Sequence, residues 1–128
     1  YVFIAGGIGI APIMGMLRTL ADRGDRRPLL LFYAYHTWER LTFREELQAL
    51  QTQLNLRLVF VLKDPPEGWQ GEAGLLSEEL LARHLPQQRD GQEYFICGPA
   101  PMIQLSEKLL YRLGVPMKRV HSELFDLV

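Results

Sequence analysis

Apolar runs of strand length alternate with segments of helical periodicity along the whole chain. Strands are predicted over residues 1–5, 29–35, 57–62, 93–96 and 118–125, and helices over residues 10–21, 41–53, 77–84 and 101–113. Because strands that alternate with helices form right-handed βαβ units, the sheet is expected to be parallel. We therefore predict an α/β fold, a three-layer open parallel five-stranded sheet with helices on both faces.

Length and charge limit what such a fold can do. The 128 residues suit one domain with a single core, and 48% hydrophobic residues is ordinary for a globular protein. With a net charge of −1 the chain lacks the basic surface that nucleic-acid binding needs, so no nucleic-acid partner is expected. The longest apolar stretch, residues 29–35, is far shorter than the roughly 20 residues that cross a bilayer.

The cysteine count and the first residue indicate the context of the chain. A single cysteine excludes an internal disulfide and suits a reducing compartment, so a cytoplasmic location is expected. Tyr1 leads directly into a strand, which suggests that residues 1–128 are one domain cut from a longer polypeptide.

A glycine-rich turn, Gly6-Gly7-Ile8-Gly9-Ile10-Ala11-Pro12, follows the first strand. Glycines let the backbone pass close to a diphosphate, and the helix behind them offers unpaired N–H groups to an anion. Pro12 stands where the dinucleotide fingerprint has its third glycine, so the turn is a relative of the Rossmann turn. An ordinary strand–helix connection is the alternative. The candidate nucleotide-binding residues here are Gly6, Gly7, Gly9, Ile10 and Pro12.

A second turn, Cys97-Gly98-Pro99, follows the fourth strand and carries the only thiol. Ligands of open α/β sheets bind at the carboxyl ends of the strands, so this turn is expected to lie near whatever the first turn binds. The alternative is an inert buried cysteine, the usual fate of a free thiol. Gly98 and Pro99 are candidate nucleotide-binding residues.

Three other classes of protein fit these residues less well. A Rossmann dehydrogenase is expected to carry an acid at the end of its second strand, where this chain has Tyr35-His36-Thr37-Trp38. A Cys–His hydrolase would need a base patterned with Cys97, and no histidine provides one. A flavodoxin-like receiver or carrier would have acids at strand ends that here carry Gly6, His36 and Cys97. No metal site is predicted.

Five segments, in order along the chain, resemble the NAD(P)-binding domain of the ferredoxin–NADP reductase superfamily. They are residues 6–12, 43–47, 65–69, 97–103 and 123–125, and together they cover nearly the whole chain. The segments around Arg44 and Trp69 are most similar to cytochrome b5 reductases and to the cytosolic domain of ferric reductases and NADPH oxidases.

This resemblance implies a division of labour between two domains. An upstream barrel of the same polypeptide would hold FAD, and the present domain would bring NADPH or NADH to it. Electrons would then leave singly for a haem, iron–sulfur or ferric acceptor. A membrane-embedded haem domain is a further possible partner upstream, which would put this domain at the cytosolic face of a membrane.

The resemblance also implies roles for individual residues. Gly7 and Gly9 would hold the diphosphate, and Met102 would border the dinucleotide. The catalytic residues beside the nicotinamide–flavin contact would be Cys97, Glu123 and the aromatic Phe125.

The choice between NADPH and NADH stays open on these residues. After the third strand the chain has Lys63-Asp64, one charge of each sign, where members that prefer NADPH often carry Ser-Arg and members that prefer NADH an acid. His36 at the end of the second strand, Arg40 and Lys63 are candidate nucleotide-binding residues. Arg40 either helps to bind a 2′-phosphate or begins a solvated helix. The alternative function is nucleotide sensing without turnover, which the pairing of Cys97 with Glu123 disfavours.

Overall fold

Within residues 1–124, which the computed structural model describes, six strands alternate with four α-helices. The predicted residue Phe125 lies outside this range. Short 3-10 turns at Gly7–Gly9, Trp38–Arg40 and Met117–Arg119 complete the connections. The elements are β1 Val2–Gly6, α1 Ile10–Asp22, β2 Leu29–Tyr35, α2 Arg44–Gln53, β3 Leu56–Leu62, β4 Glu72–Ala73, α3 Glu78–His84, β5 Tyr94–Gly98, α4 Ala100–Arg112 and β6 Val120–Leu124.

The strands form one parallel sheet in the order β4-β3-β2-β1-β5-β6. The prediction of a parallel α/β sheet is confirmed, but the predicted count of five strands is wrong. The additional strand is β4, two residues long, which pairs with Val61 and Leu62 at the edge of the sheet. Two residues are too few to form an apolar run that the sequence could reveal. The strand is defined by its hydrogen bonds to β3.

Helices cover both faces of the sheet, as predicted. Alternate residues of β1 point to opposite sides: Phe3 belongs to one apolar cluster and Ile4 to the other. The first cluster contains the buried faces of α1 and α2, and the second contains those of α3 and α4. Burial of each large apolar side chain stabilises the fold by about 1.5–3 kcal/mol. The helices therefore pack on both faces of the sheet, which gives three layers.

The start of α2 differs from its prediction by three residues. Phe43 has a φ of 62°, in the left-handed region, and it precedes the first helical residue, Arg44. A non-glycine residue is rarely found in that region, and it cannot continue a right-handed helix. The predicted helix over residues 41–53 is therefore shortened to Arg44–Gln53.

The chain changes direction across the sheet next to β1. From β1 it proceeds through β2 and β3 to β4 on one side, and it then returns to build β5 and β6 on the other. The carboxyl ends of β1 and β5 therefore flank a topological switch point, where connections leave toward opposite faces of the sheet. Crevices at such points are the usual ligand-binding places of open α/β sheets.

Candidate functional site

A cleft of about 610 Å³ lies along the carboxyl ends of β1, β2 and β3. One wall is the beginning of α4, with Pro99, Pro101, Met102 and Leu105. The opposite wall is the segment 74–76, which connects β4 to α3. The cleft thus lies where the switch point predicts a ligand, and both glycine-rich turns contribute to it.

The first turn presents Gly7 to the cleft in a conformation that favours glycine. Its φ is +55°, and a Cβ built there would meet nothing within 4 Å, so open space lies directly beside the backbone. Gly9, by contrast, is buried, and a Cβ on it would overlap the backbone carbonyl of Cys97. Gly7 therefore keeps the cleft open, whereas Gly9 lets the first turn pack against β5.

Met102, near the start of α4, lies between the second turn and the first. Its thioether fills the space beside both Gly6 and Gly98, where an added Cβ would overlap the sulfur or its methyl group. Pro99 and Met102 line the cleft together with Gly6, while Gly98 is buried behind them as the last residue of β5. The two turns predicted to share a ligand are thus in contact.

Two helices begin at this edge of the sheet without side-chain caps. Neither the residue before α1, Gly9, nor the residue before α4, Pro99, accepts a capping hydrogen bond with its side chain. The amide of Ile10 donates to the carbonyl of Gly7, Pro101 has no N–H, and the amide of Met102 donates to the carbonyl of Pro99. The attraction for an anion therefore comes from the partial positive charge that the dipoles of the two helices place at this edge. This edge of the sheet therefore favours a negatively charged ligand.

Three basic side chains, His36, Arg40 and Lys63, line the middle of the cleft. Among the described residues, no ion pair or side-chain hydrogen bond involves Arg40 or Lys63, and no carboxylate lines the cleft. Asp64 is exposed outside the lining, and its amide donates to the carbonyl of His36. The charge of the cleft is therefore positive.

Cys97 lies beside the cleft and does not line it. Its side chain is 5% exposed within the core cluster that α1 and α2 cover. Burial, and secondarily the negative charge of Glu123, raises the pKa of the Cys97 thiol to about 11. Glu123 is the register partner of Cys97 on β6, and it is exposed. The thiol is therefore neutral at ordinary pH, which suits packing rather than nucleophilic attack.

The remaining candidates are divided between the cleft and the core. The structure brings together Gly6, Gly7, His36, Arg40, Lys63, Pro99 and Met102 at the cleft. Ile10 is buried under the sheet and Pro12 lies in the first turn of α1, so neither lines it. The predicted nucleotide contacts of Gly9, Ile10, Pro12 and Gly98, and the catalytic roles of Cys97, Glu123 and Phe125, stay predictions.

Sequence reasoning missed the wall at residues 74–76. Leu75 is 68% exposed although it is large and apolar, and it faces the cleft together with Gly74 and the buried Leu76. A leucine between a turn-rich loop and a helix has no periodic pattern that would mark it. The one available signal was Ser77, which caps α3 with its hydroxyl and so fixes where this wall ends.

Comparison with known proteins adds three findings. The family model described as the oxidoreductase NAD-binding domain matches residues 3–108. NADH-cytochrome b5 reductase 1 of Pyricularia oryzae is 34% identical over 129 residues, which is 98% of this chain and 42% of that relative. The chain thus spans less than half the length of the curated relatives it matches.

Two solved structures share the fold. The flavohem-like FAD/NAD-binding domain of nitric oxide dioxygenase from Vibrio cholerae is similar with a TM-score of 0.85 and 27% identity, over 97% of this chain and 50% of that one. The cytochrome b5 reductase domain of Ulva prolifera nitrate reductase has a TM-score of 0.84 and 23% identity, over 95% of this chain and 47% of that one.

Proposed function

The chain belongs to the oxidoreductase NAD-binding domain family, and from this premise we propose that it is the pyridine-nucleotide half of a flavin-dependent oxidoreductase. The resemblance to the ferredoxin–NADP reductase superfamily, and to cytochrome b5 reductases within it, is confirmed. The resemblance to ferric reductases and NADPH oxidases stays a prediction. The observation that carries the proposal is the convergence of a glycine turn, two uncapped helix ends and unpaired cations on one cleft.

The chemistry of the cleft fits a dinucleotide. Gly7 would hold the diphosphate, because the backbone there leaves open space and the positive ends of the α1 and α4 dipoles favour an anion. In this arrangement Pro99 and the carboxyl end of β5 would border the nicotinamide half, and the carboxyl end of β3 would border the adenosine half. The neutral Cys97 thiol packs without acting as a base or nucleophile, because burial keeps its pKa well above neutral pH.

When bound, the nicotinamide nucleotide and FAD would supply the redox chemistry, which is hydride transfer followed by single-electron transfer to an acceptor. The protein binds, orients and shields them. The acceptor belongs to the haem, iron–sulfur or ferric class, and an FAD-binding domain of the same polypeptide precedes this one. Support comes from the relatives, of which the chain spans less than half, and from the FAD/NAD-binding domain of the Vibrio cholerae protein.

The curated relatives are NADH-cytochrome b5 reductases, so NADH is the expected nucleotide, and the basic lining makes NADPH the second candidate. Lys63 and Arg40 have no carboxylate partner among the described residues, so a 2′-phosphate on the adenosine half would gain charge-assisted hydrogen bonds that NADH lacks. Asp64, the acid that could repel such a phosphate, does not line the cleft. The sequence alone left this choice open.

The proposal includes a cytosolic location. Its support is Cys97, a buried free cysteine, because free thiols persist in reducing compartments. In residues 1–124 no helix is long and apolar enough to cross a membrane.

The test joins the domain to its native upstream segment. The enzyme account predicts that this full-length protein binds FAD and that NADPH bleaches the flavin absorbance under anaerobic conditions. If the full-length protein binds nucleotide but no flavin, the domain is a nucleotide-sensing module and the enzyme account is wrong. The isolated domain is expected to lack reductase activity in either case, so it is the control.

A further inference from the structure

One wall of the cleft is attached to the sheet by very few hydrogen bonds. The wall 74–76 continues from β4, whose two residues pair with Val61 and Leu62, and the amide of Gly74 donates to the carbonyl of Leu62 at 2.8 Å. A strand this short at the edge of a sheet has little stability of its own. Other contacts must hold the exposed Leu75 in place.

Those contacts converge on Glu72. Its carboxylate accepts hydrogen bonds from Arg83 at 2.6 Å and from His84 at 2.7 Å, both in the last turn of α3. Arg57 of β3 donates to Nδ1 of His84 at 3.2 Å, and because a guanidinium cannot accept, Nδ1 must be the unprotonated nitrogen. The opposite nitrogen, Nε2, is therefore the one that donates to Glu72. These side chains tie β4 to both α3 and β3.

A tryptophan donates a hydrogen bond to the main chain of Glu72. Nε1 of Trp69 donates to the carbonyl oxygen of Glu72 at 2.9 Å, and the Trp69 ring packs on Trp38 with ring centres 5.4 Å apart. Arg44 of α2 lies 4.5 Å above the Trp38 ring. The contacts of Glu72 thus link the wall to α3 through its side chain and to the α2 layer through its backbone.

We propose that Glu72, held by Arg83, His84 and Trp69, is a positioning residue that sets the wall 74–76 against the adenosine half of the nucleotide. The inference rests on the proposed function, because it uses the placement of the adenosine half toward β3. Glu72 itself does not line the cleft, so its effect on binding passes through Leu75. Binding of adenosine-containing ligands depends on Glu72, and binding of the nicotinamide half does not.

The binding test uses the 128-residue chain with Glu72→Gln, which keeps the shape of the side chain but removes its charge. Adenosine 2′,5′-bisphosphate and NADPH should both bind roughly tenfold more weakly, by the same factor, because the wall beside their shared adenosine end loses the charge-assisted hydrogen bonds that hold it in place. The matched control is Glu46→Gln, which breaks the Arg18–Glu46 ion pair of 2.6 Å on the α1–α2 surface. It should leave both affinities unchanged. Equal affinities in the Glu72 variant and the wild type would overturn the proposal.

A second measurement needs no nucleotide. Hydrogen exchange at the Gly74 amide should accelerate at least several-fold in Glu72→Gln and in Trp69→Phe, which loses the indole donor, but not in Trp38→Phe. Unchanged protection of Gly74 in both variants would overturn the proposal even if the wild type binds nucleotide well. Conversely, faster exchange in both variants, together with a wild-type chain that binds no nucleotide, would contradict only the proposed function.

Discussion

The ionisation of Cys97 can be predicted with a definite magnitude. The thiol is 5% exposed, and burial, followed by the charge of Glu123, raises its pKa from 9.0 to about 11. In the unfolded chain neither cause operates, so the pKa should return to the ordinary thiol range. Because Cys97 is the only cysteine, the thiolate absorbance of the protein reports this group alone once a Cys97→Ser baseline is subtracted.

The same shift has a consequence for stability. Below about pH 9 the thiol stays protonated in both the folded and the unfolded chain, so its ionisation does not change the free energy of unfolding in that range. Between about pH 9 and 11 the unfolded state releases this proton and the folded state retains it, so stability falls as pH rises. At about 1.4 kcal/mol per pKa unit, the loss should approach about 3 kcal/mol.

The assay compares urea unfolding of the wild type and Cys97→Ser across that pH range. The difference between the two free energies of unfolding should shrink as pH rises, while their common dependence on tyrosines and lysines cancels. In a parallel titration Glu123→Gln should lower the pKa of Cys97, by less than burial raises it. A thiol that titrates near 9 in the folded chain, with no change in the stability difference, would refute the assigned burial.

Three further substitutions test the site and the fold. Lys63→Asp should shift the NADPH-to-NADH affinity ratio roughly tenfold toward NADH in calorimetric titrations, because it replaces an attractive charge by a repulsive one. Gly9→Ala should lower the free energy of unfolding in urea by about 2 kcal/mol, since the added Cβ overlaps the Cys97 carbonyl, whereas Gly15→Ala in the same helical region should raise it by about 0.5–1 kcal/mol. Ser77→Ala should cost about 1 kcal/mol in thermal or urea unfolding through the lost cap of α3.

Each of these has an outcome that contradicts it. An unchanged nucleotide preference would mean that Lys63 does not face the 2′ position. If Gly9→Ala were as stable as Gly15→Ala, the close packing of the first turn on β5 would be misassigned. A Ser77→Ala variant with unaltered unfolding would show that the hydroxyl contributes nothing to the wall's far end.

The sequence predicts most of the fold because the strands are buried on both faces. Continuous apolar runs such as residues 29–35 leave few alternatives, and the helices between them carry a clear 3.6-residue period. It does not predict β4, because Glu72 and Ala73 become a strand only through hydrogen bonds to β3. Nor does it predict the left-handed Phe43, because a non-glycine aromatic residue does not favour that conformation by itself.

The site is only partly predictable for a related reason. Glycine turns and strand ends locate Gly6, Gly7 and Pro99 at the cleft, because the topology brings all strand ends to one edge, whereas only the family resemblance points to Lys63 and Met102. Whether each of the other candidates lines the cleft depends on the face of the sheet to which its side chain points. Cys97 points into the core layer under α1, and Leu75 reaches the cleft from a segment with no pattern of its own.

Calorimetric titration of the chain with NADPH tests the central claim most directly. The account predicts saturable binding of NADPH, of NADH or of both at one site, and loss of the NADPH heat when adenosine 2′,5′-bisphosphate is already present at saturating concentration. The absence of saturable heat with either nucleotide at millimolar concentration would contradict the assignment of the cleft.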